Sequence, residues 1–189
     1  IDINQGCSGF VYALSLAKGM IESEQVKNVL IITSETYSKY INNKDKSVRT
    51  LFGDAACCTF IKSKEADTEQ IHKVIHGTDG AGAEHLIVPH GGHKNPIDEL
   101  SFIEEVDASK NVRSPSNLFM NGAAIYTFTL TKIPKIFNQI LESNNLSIDD
   151  LDLVIFHQAN KFILDAMQRK LKIPDEKMHR SYMEYGNTV

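Results

Sequence analysis

Three side chains in this sequence could carry nucleophilic chemistry: Cys7 in Gln5-Gly6-Cys7-Ser8-Gly9, His157 in His157-Gln158-Ala159-Asn160, and Asn187 in Gly186-Asn187-Thr188. Cys7 stands just ahead of a long apolar stretch. A thiol at a helix N-terminus meets the positive end of the helix dipole and unpaired N–H groups, which favours the thiolate and lowers the pKa. His157 closes an apolar run and can act as general base, hydrogen-bond donor or ligand. Each residue also has a plainer reading: a buried structural thiol, a satisfied core histidine, and a turn asparagine that tolerates a left-handed backbone.

These residues need rigid elements to bring them together. Ile1 to Asn4 reads as a short strand, and Cys7 to Ile21 as a helix that is apolar nearly all round and therefore buried on most sides. Asn28 to Thr33 is a continuous apolar run, the pattern of a strand covered on both faces. Ala55 to Ile61 and Ile71 to Ile75 read as further strands, with Cys57 and Cys58 buried in the first of them. His76 to Ser101 is the longest irregular segment. Periodic apolar positions from Phe119 to Leu141 predict one or two helices, with Pro134 marking a kink or restart. Ser147 to Asp150 reads as a capped turn, Asp152 to Phe156 as a buried strand, Lys161 to Leu171 as a helix, and Lys177 to Glu184 as a last strand. Cys7, His157 and Asn187 thus sit at three strand ends, and the carboxyl ends of strands are where α/β folds bind ligands.

Composition narrows the class. The 189 residues are 42% hydrophobic and 23% charged, enough to bury a core and unlike a disordered tail. A net charge of −4 argues against a nucleic-acid partner, which requires a concentrated basic surface. No apolar run reaches the roughly 20 residues of a membrane-spanning helix, and no segment reads as a signal peptide, so the cytoplasm is the expected location. An odd count of 3 cysteines, two of them adjacent, makes no disulfide framework and suits a reducing compartment. His85, His90 and His93, with His72 and His76 nearby, match no zinc-ligand spacing, and no metal site is expected.

Six short matches run in order along the chain: CSGF at Cys7 to Phe10, SET at Ser34 to Thr36, LFGD at Leu51 to Asp54, MNG at Met120 to Gly122, HQAN at His157 to Asn160 and GNT at Gly186 to Thr188. With them the sequence resembles 3-oxoacyl-acyl-carrier-protein synthase III, a ketoacyl synthase of the thiolase-like fold. The resemblance implies an α/β five-layer αβαβα architecture of two similar halves, incomplete in this chain. Residues 1–62 would end the N-terminal half and carry the nucleophile, 63–114 would connect, and 115–189 would form the C-terminal half carrying His and Asn. Members of that family carry further chain before the cysteine and a strand-helix-strand segment after GNT, so both ends are expected to continue.

The implied catalytic triad is Cys7, His157 and Asn187. The implied activity is acyl transfer from acyl-CoA followed by decarboxylative condensation with malonyl-acyl-carrier protein, without metal or organic cofactor, in a homodimer that starts fatty-acid chains. The alternatives are a homologous condensing enzyme of a specialised lipid or secondary-metabolite pathway, and a non-catalytic dimer partner. Substrate contacts are expected at Lys46, Gly122, Tyr126, Asn160 and Phe162. Two of these depart from the family pattern. Lys46 falls where an arginine usually flanks the CoA adenine, and Phe162 where a basic residue often meets the carrier protein.

Overall fold

The first helix, α1 (Gly9–Glu22), begins two residues after Cys7. Its first turn is closed by backbone bonds, Gly9 N–H to the Gly6 carbonyl at 2.7 Å and Tyr12 N–H to the Ser8 carbonyl at 3.2 Å. It ends where Glu24 takes a left-handed backbone, φ 58°. The structure, a computed structural model, describes all 189 residues.

α1 packs on β1 (Asn28–Glu35), which pairs antiparallel with β2 (Ala55–Lys62) in a register that sets Ile31 against Thr59 and Thr33 against Cys57. Val29, Ile31, Thr33 and Glu35 share one face of β1, and Ile31 is its only buried residue. Leu30, Ile32 and Phe60 lie on the opposite face and are 57%, 63% and 63% exposed. Two sequence expectations therefore change. α1 is not enclosed, since Ala17 alone is buried in it, and Cys57 and Cys58 are exposed. One sheet of two strands covers one side of α1 and leaves its other side open, as it does the far face of the sheet with Cys58, while Cys57, on the Ile31 face, lines the open groove.

The connecting region holds two-residue strands. β3 (Leu86–Ile87) pairs with β6 (Phe119–Met120), and β4 (Glu105–Val106) with β5 (Val112–Arg113). Within the irregular segment His90 Nδ1 lies 2.9 Å from Ser101 Oγ, and Asp98 caps the turn Glu99–Phe102 with a reciprocal pair of bonds. Next comes α2 (Gly122–Ser143), capped by Asn121 and continuous through Pro134, so the expected restart does not occur.

α3 (Lys161–Leu171) matches its predicted range, capped by the Asn160 side chain and ended by Lys172 in the left-handed region. α2 and α3 enclose the main core of Phe137, Val154, Leu164, Leu171, Ile173 and Met178. α4 (Tyr182–Tyr185) is one short turn.

Four expected strands are absent or reduced. Ile1 to Asn4 and Ile71 to Ile75 have no paired neighbour, the run at 152–156 keeps a single parallel bridge from Val154 to Met178, and Lys177 to Glu184 ends in α4. A strand exists through its ladder: residues 1–4 and 71–75 pair with no segment, and the chain around Val154 and Met178 shares only the two bonds of one bridge. No helix is long and apolar enough to cross a membrane.

Candidate active site

Cys7 lies on the tight turn that feeds α1, where Gln5 Nε2 donates to Ser8 Oγ at 2.9 Å. It borders a groove of about 1100 Å³ whose walls include Phe10, Glu35, Tyr37, Cys57, Thr188 and Val189. The residue keeps accessible surface. Even so, protein crowding around the sulfur raises the thiol above its ordinary value, a backbone hydrogen bond at Cys7 lowers it, and the Glu35 carboxylate raises it again. The net direction is upward, opposite to the lowering expected from the helix terminus alone. Tyr37 is also raised, first by burial and then by Cys7 and Glu35. Its ring meets Phe52 at 5.0 Å between centroids, tying the Cys7 groove to the LFGD turn.

That turn holds Asn187. The Asn187 N–H donates to the Leu51 carbonyl at 2.8 Å, and the Gly53 N–H donates to the Asn187 carbonyl at 2.9 Å, a parallel bridge centred on Phe52. Asn187 is 7% exposed, and its Oδ1 accepts from the Val189 N–H at 2.9 Å. Oδ1 is thereby fixed, which orients the Nδ2 donor end. The approach is close enough that a Cβ on Gly53 would lie 2.5 Å from the Tyr185 carbonyl oxygen, and Gly186 itself has φ +69°. Asp54, next in LFGD, accepts from the Ser38 N–H at 2.9 Å and from the Ser38 hydroxyl, which hold its carboxyl below the ordinary value.

His157 follows the Val154 bridge. Its neighbour Gln158 is the clamp: Nε2 donates to the Phe156 carbonyl at 3.0 Å and the His179 carbonyl at 3.4 Å, while Oε1 accepts from the Ser181 N–H at 2.7 Å. Burial around the imidazole lowers its pKa, favouring the neutral ring.

Of the expected triad, the structure brings Cys7 and the segment of Asn187 to one groove, with Val189 Cγ1 3.9 Å from where a Cβ on Gly6 would stand. His157 does not line that groove; it is tied through Gln158 and Ser181 to the chain leading into Asn187. The expected substrate residues are dispersed. Lys46 is exposed, with its N–H on Asn111 Oδ1 at 3.0 Å; Gly122 opens α2, and Tyr126 on the same helix is 38% exposed. Asn160 caps α3 through the Ile163 N–H at 3.0 Å, and Phe162 is 80% exposed. Sequence reasoning missed Glu35, Tyr37 and Gln158 as neighbours of the candidate catalytic groups. Glu35 lies within SET, Tyr37 follows it and Gln158 lies within HQAN, so the motifs mark these segments but not the contacts they make.

Residues 1–80 match the family 3-oxoacyl-[acyl-carrier-protein (ACP)] synthase III, and residues 141–189 match the C-terminal part of the same family. A beta-ketoacyl-[acyl-carrier-protein] synthase III of Caldanaerobacter subterraneus is 35% identical over 99% of this chain and 54% of its own length. One from Clostridium perfringens is 37% identical over the same shares, 99% and 54%. The chain thus spans about half the length of the curated relatives it matches, 54%. Among solved structures, a 3-oxoacyl-(acyl-carrier-protein) synthase III superposes with a TM-score of 0.97 at 44% identity, covering 100% of this chain and 56% of that one. A 3-oxoacyl-(acyl-carrier protein) synthase from Burkholderia xenovorans gives 0.84 at 37% identity, covering 99% and 51%. The likeness shows the thiolase-like α/β fold.

Proposed function

This chain belongs to the 3-oxoacyl-[acyl-carrier-protein] synthase III family, and we propose that it carries the nucleophile and both oxyanion donors of a condensing acyltransferase that starts fatty-acid chains. In the first half-reaction the Cys7 thiolate attacks the thioester carbonyl of an acyl-CoA. The C–S bond to CoA breaks, CoA leaves as a thiolate that takes up a proton, and the acyl group remains on Cys7. In the second, malonyl-acyl-carrier protein loses CO₂, and the electron pair of the broken C–C bond moves into an enolate. The enolate carbon attacks the acyl-Cys7 carbonyl, and collapse of the adduct returns the Cys7 thiolate and releases a 3-oxoacyl-acyl-carrier protein.

His157 and Asn187 donate hydrogen bonds to the malonyl thioester oxygen, where the enolate charge develops. A neutral imidazole suits that role, because it offers an N–H without a competing positive charge. Donors suffice for carbanion chemistry of this type, so no metal or organic cofactor is assigned. The observation that carries the reading is the two-way backbone grip on Asn187 beside the Cys7 groove, which fixes a donor that would otherwise sit on a flexible turn. Residues 1–62 and 115–189 are proposed as contributions of the two thiolase-like halves, with 63–114 between them, and the active protein as a homodimer.

The test is intact-mass measurement of the full-length protein with a panel of acyl-CoAs, followed by malonyl-acyl-carrier protein. Cys7 is expected to gain the acyl mass and Cys7→Ser to gain none and form no product. His157→Ala and Asn187→Ala should keep Cys7 acylation but slow CO₂ release by about 100- to 1,000-fold. Normal turnover by Cys7→Ser would overturn the assignment. Lys46 and Phe162 favour a second reading, a condensing enzyme of a specialised pathway. A priming beta-ketosynthase from the R1128 polyketide pathway is 27% identical with a TM-score of 0.76. The same panel separates the two by which acyl group is accepted.

A further inference from the structure

The stretch between the two family-matched segments contains Arg113, whose side chain is nearly enclosed, 16% exposed. Its Nε donates to Asp45 Oδ2 at 3.1 Å, a second nitrogen pairs with Asp107, and the guanidinium lies 5.2 Å over the Phe119 ring. Asp45 is 1% exposed at its side chain, and its other oxygen accepts from the Ser47 N–H at 2.9 Å. Asn111, two residues before Arg113, fixes the next backbone unit by accepting the Lys46 N–H.

From Asp45 the chain runs as one hydrogen-bonded turn. Arg49 N–H donates to the Asp45 carbonyl at 3.1 Å, and Leu51 N–H to the carbonyl of fully buried Val48 at 3.0 Å. The turn ends at Leu51 and Gly53, the two groups that grip Asn187.

We propose that Arg113 is a positioning residue for Asn187: by pairing with buried Asp45 it fixes the turn 45–53, whose far end holds the Asn187 backbone. The inference rests on the role proposed for Asn187 as an enolate donor. A carboxylate buried this deeply requires its cation, and without Arg113 the turn must open to let water reach Asp45. The far end of the turn is bonded to Asn187 on both sides, through the Leu51 carbonyl and the Gly53 N–H, and does not move independently of it. Displacement therefore passes to Asn187. Cys7 sits on the α1 turn, outside this chain of hydrogen bonds and linked to it only through the Phe52–Tyr37 ring contact and the groove wall at Thr188 and Val189, so the first half-reaction is affected less than the second.

Two measurements on Arg113→Gln in the full-length protein test this. Hydrogen exchange at the Gly53 and Asn187 amides should quicken, while exchange in α3, to which the turn makes no backbone hydrogen bond, stays unchanged. Release of CO₂ from a malonyl thioester should fall by about 100-fold, the scale of an ångström-sized misplacement, with Cys7 acylation by acyl-CoA reduced far less. Arg113→Lys, which keeps the charge but loses the fork, should lie between. If Arg113→Gln fails to fold, the pair Asp45→Asn with Arg113→Gln removes the stranded charge and is measured in the same way.

Unchanged exchange at those two amides overturns the coupling, whatever the activity. Equal loss in both half-reactions overturns the selective role and leaves Arg113 as structural support. Failure of the parent protein to acylate Cys7 would instead overturn the proposed function, and the exchange measurement would still decide the coupling.

Discussion

At Cys7 two effects of opposite sign act on one sulfur. A helix terminus stabilises a nearby anion by about 0.3–1 kcal/mol and fades within a turn. Crowding by the groove and the Glu35 carboxylate oppose it, and the thiol ends up raised. Alkylation of Cys7 by iodoacetamide should therefore have its pH midpoint above that of a free cysteine, and a midpoint below it would show that the helix terminus dominates. Cys57 and Cys58, both exposed, should react alongside Cys7 in this chain. His157 shifts the other way, lowered by burial. Its contribution to stability is complete above the unfolded value near 6.5 and is lost as pH falls through the lower folded value. The acid limb of CO₂ release should follow the same midpoint, below 6.5, and an NMR titration of the His157 ring checks it directly. The candidate groups themselves were legible in the sequence because each stands beside a glycine or closes an apolar run. Glu35 and Tyr37 were not, since they reach Cys7 only once β1 lies beside α1.

Elements succeeded or failed in the sequence according to whether their stabilisation is local. α3 was legible to the residue because Asn160 supplies the cap and the apolar stripe of Leu164, Met167 and Leu171 supplies the buried face. Replacing Asn160 by Ala should cost about 1 kcal/mol in denaturant unfolding. The segments 1–4, 71–75 and 177–184 carry strand-like residues, but a ladder is a non-local property, and apolarity cannot reveal whether a partner lies alongside. The junction between LFGD and YGN is the opposite case. Two glycines mark it in the sequence, yet only the structure shows that Gly53 faces the Tyr185 carbonyl and that Gly186 needs its positive φ. Gly53→Ala should destabilise by about 1–3 kcal/mol, because the added methyl meets backbone that no rotamer change can move. The same variant should slow CO₂ release more than Cys7 acylation. A fully stable Gly53→Ala protein with parent condensation would show that the junction is looser than its geometry.

Across the whole molecule, apolar surface that the sequence assigned to the core stays open. Leu30, Ile32 and Phe60 on the sheet, Phe10, Val11 and Leu16 on α1, and Ile155 beside the Val154 bridge are all exposed. Patches of this kind drive association, so these 189 residues expressed alone should self-associate, and a monodisperse monomer in sedimentation would contradict this. Charge is the second global property, and it bears on the acceptor. Phe162 is 80% exposed on the first turn of α3, where the resemblance leads one to expect a basic side chain. Its neighbour Lys161 pairs with Asp165, so that ammonium contributes little outward field, and Lys170 Nζ donates to the Leu130 carbonyl at 2.8 Å. With a net charge of −4, the chain offers an acidic carrier protein mild repulsion. A rim charge acts mainly on association rate and salt dependence. Phe162→Arg should therefore raise kcat/KM for malonyl-acyl-carrier protein by about two- to fivefold, the equivalent of the ~0.5–1 kcal/mol of an exposed charge pair. Malonyl-CoA, which does not dock a protein against α3, should be unaffected. The gain should fade as ionic strength rises and the Debye length falls from about 10 Å at 0.1 M to 3 Å at 1 M. An improvement shared equally by both acceptors, or indifferent to salt, would show that Phe162 shapes the path of the substrate and not the surface that meets its carrier.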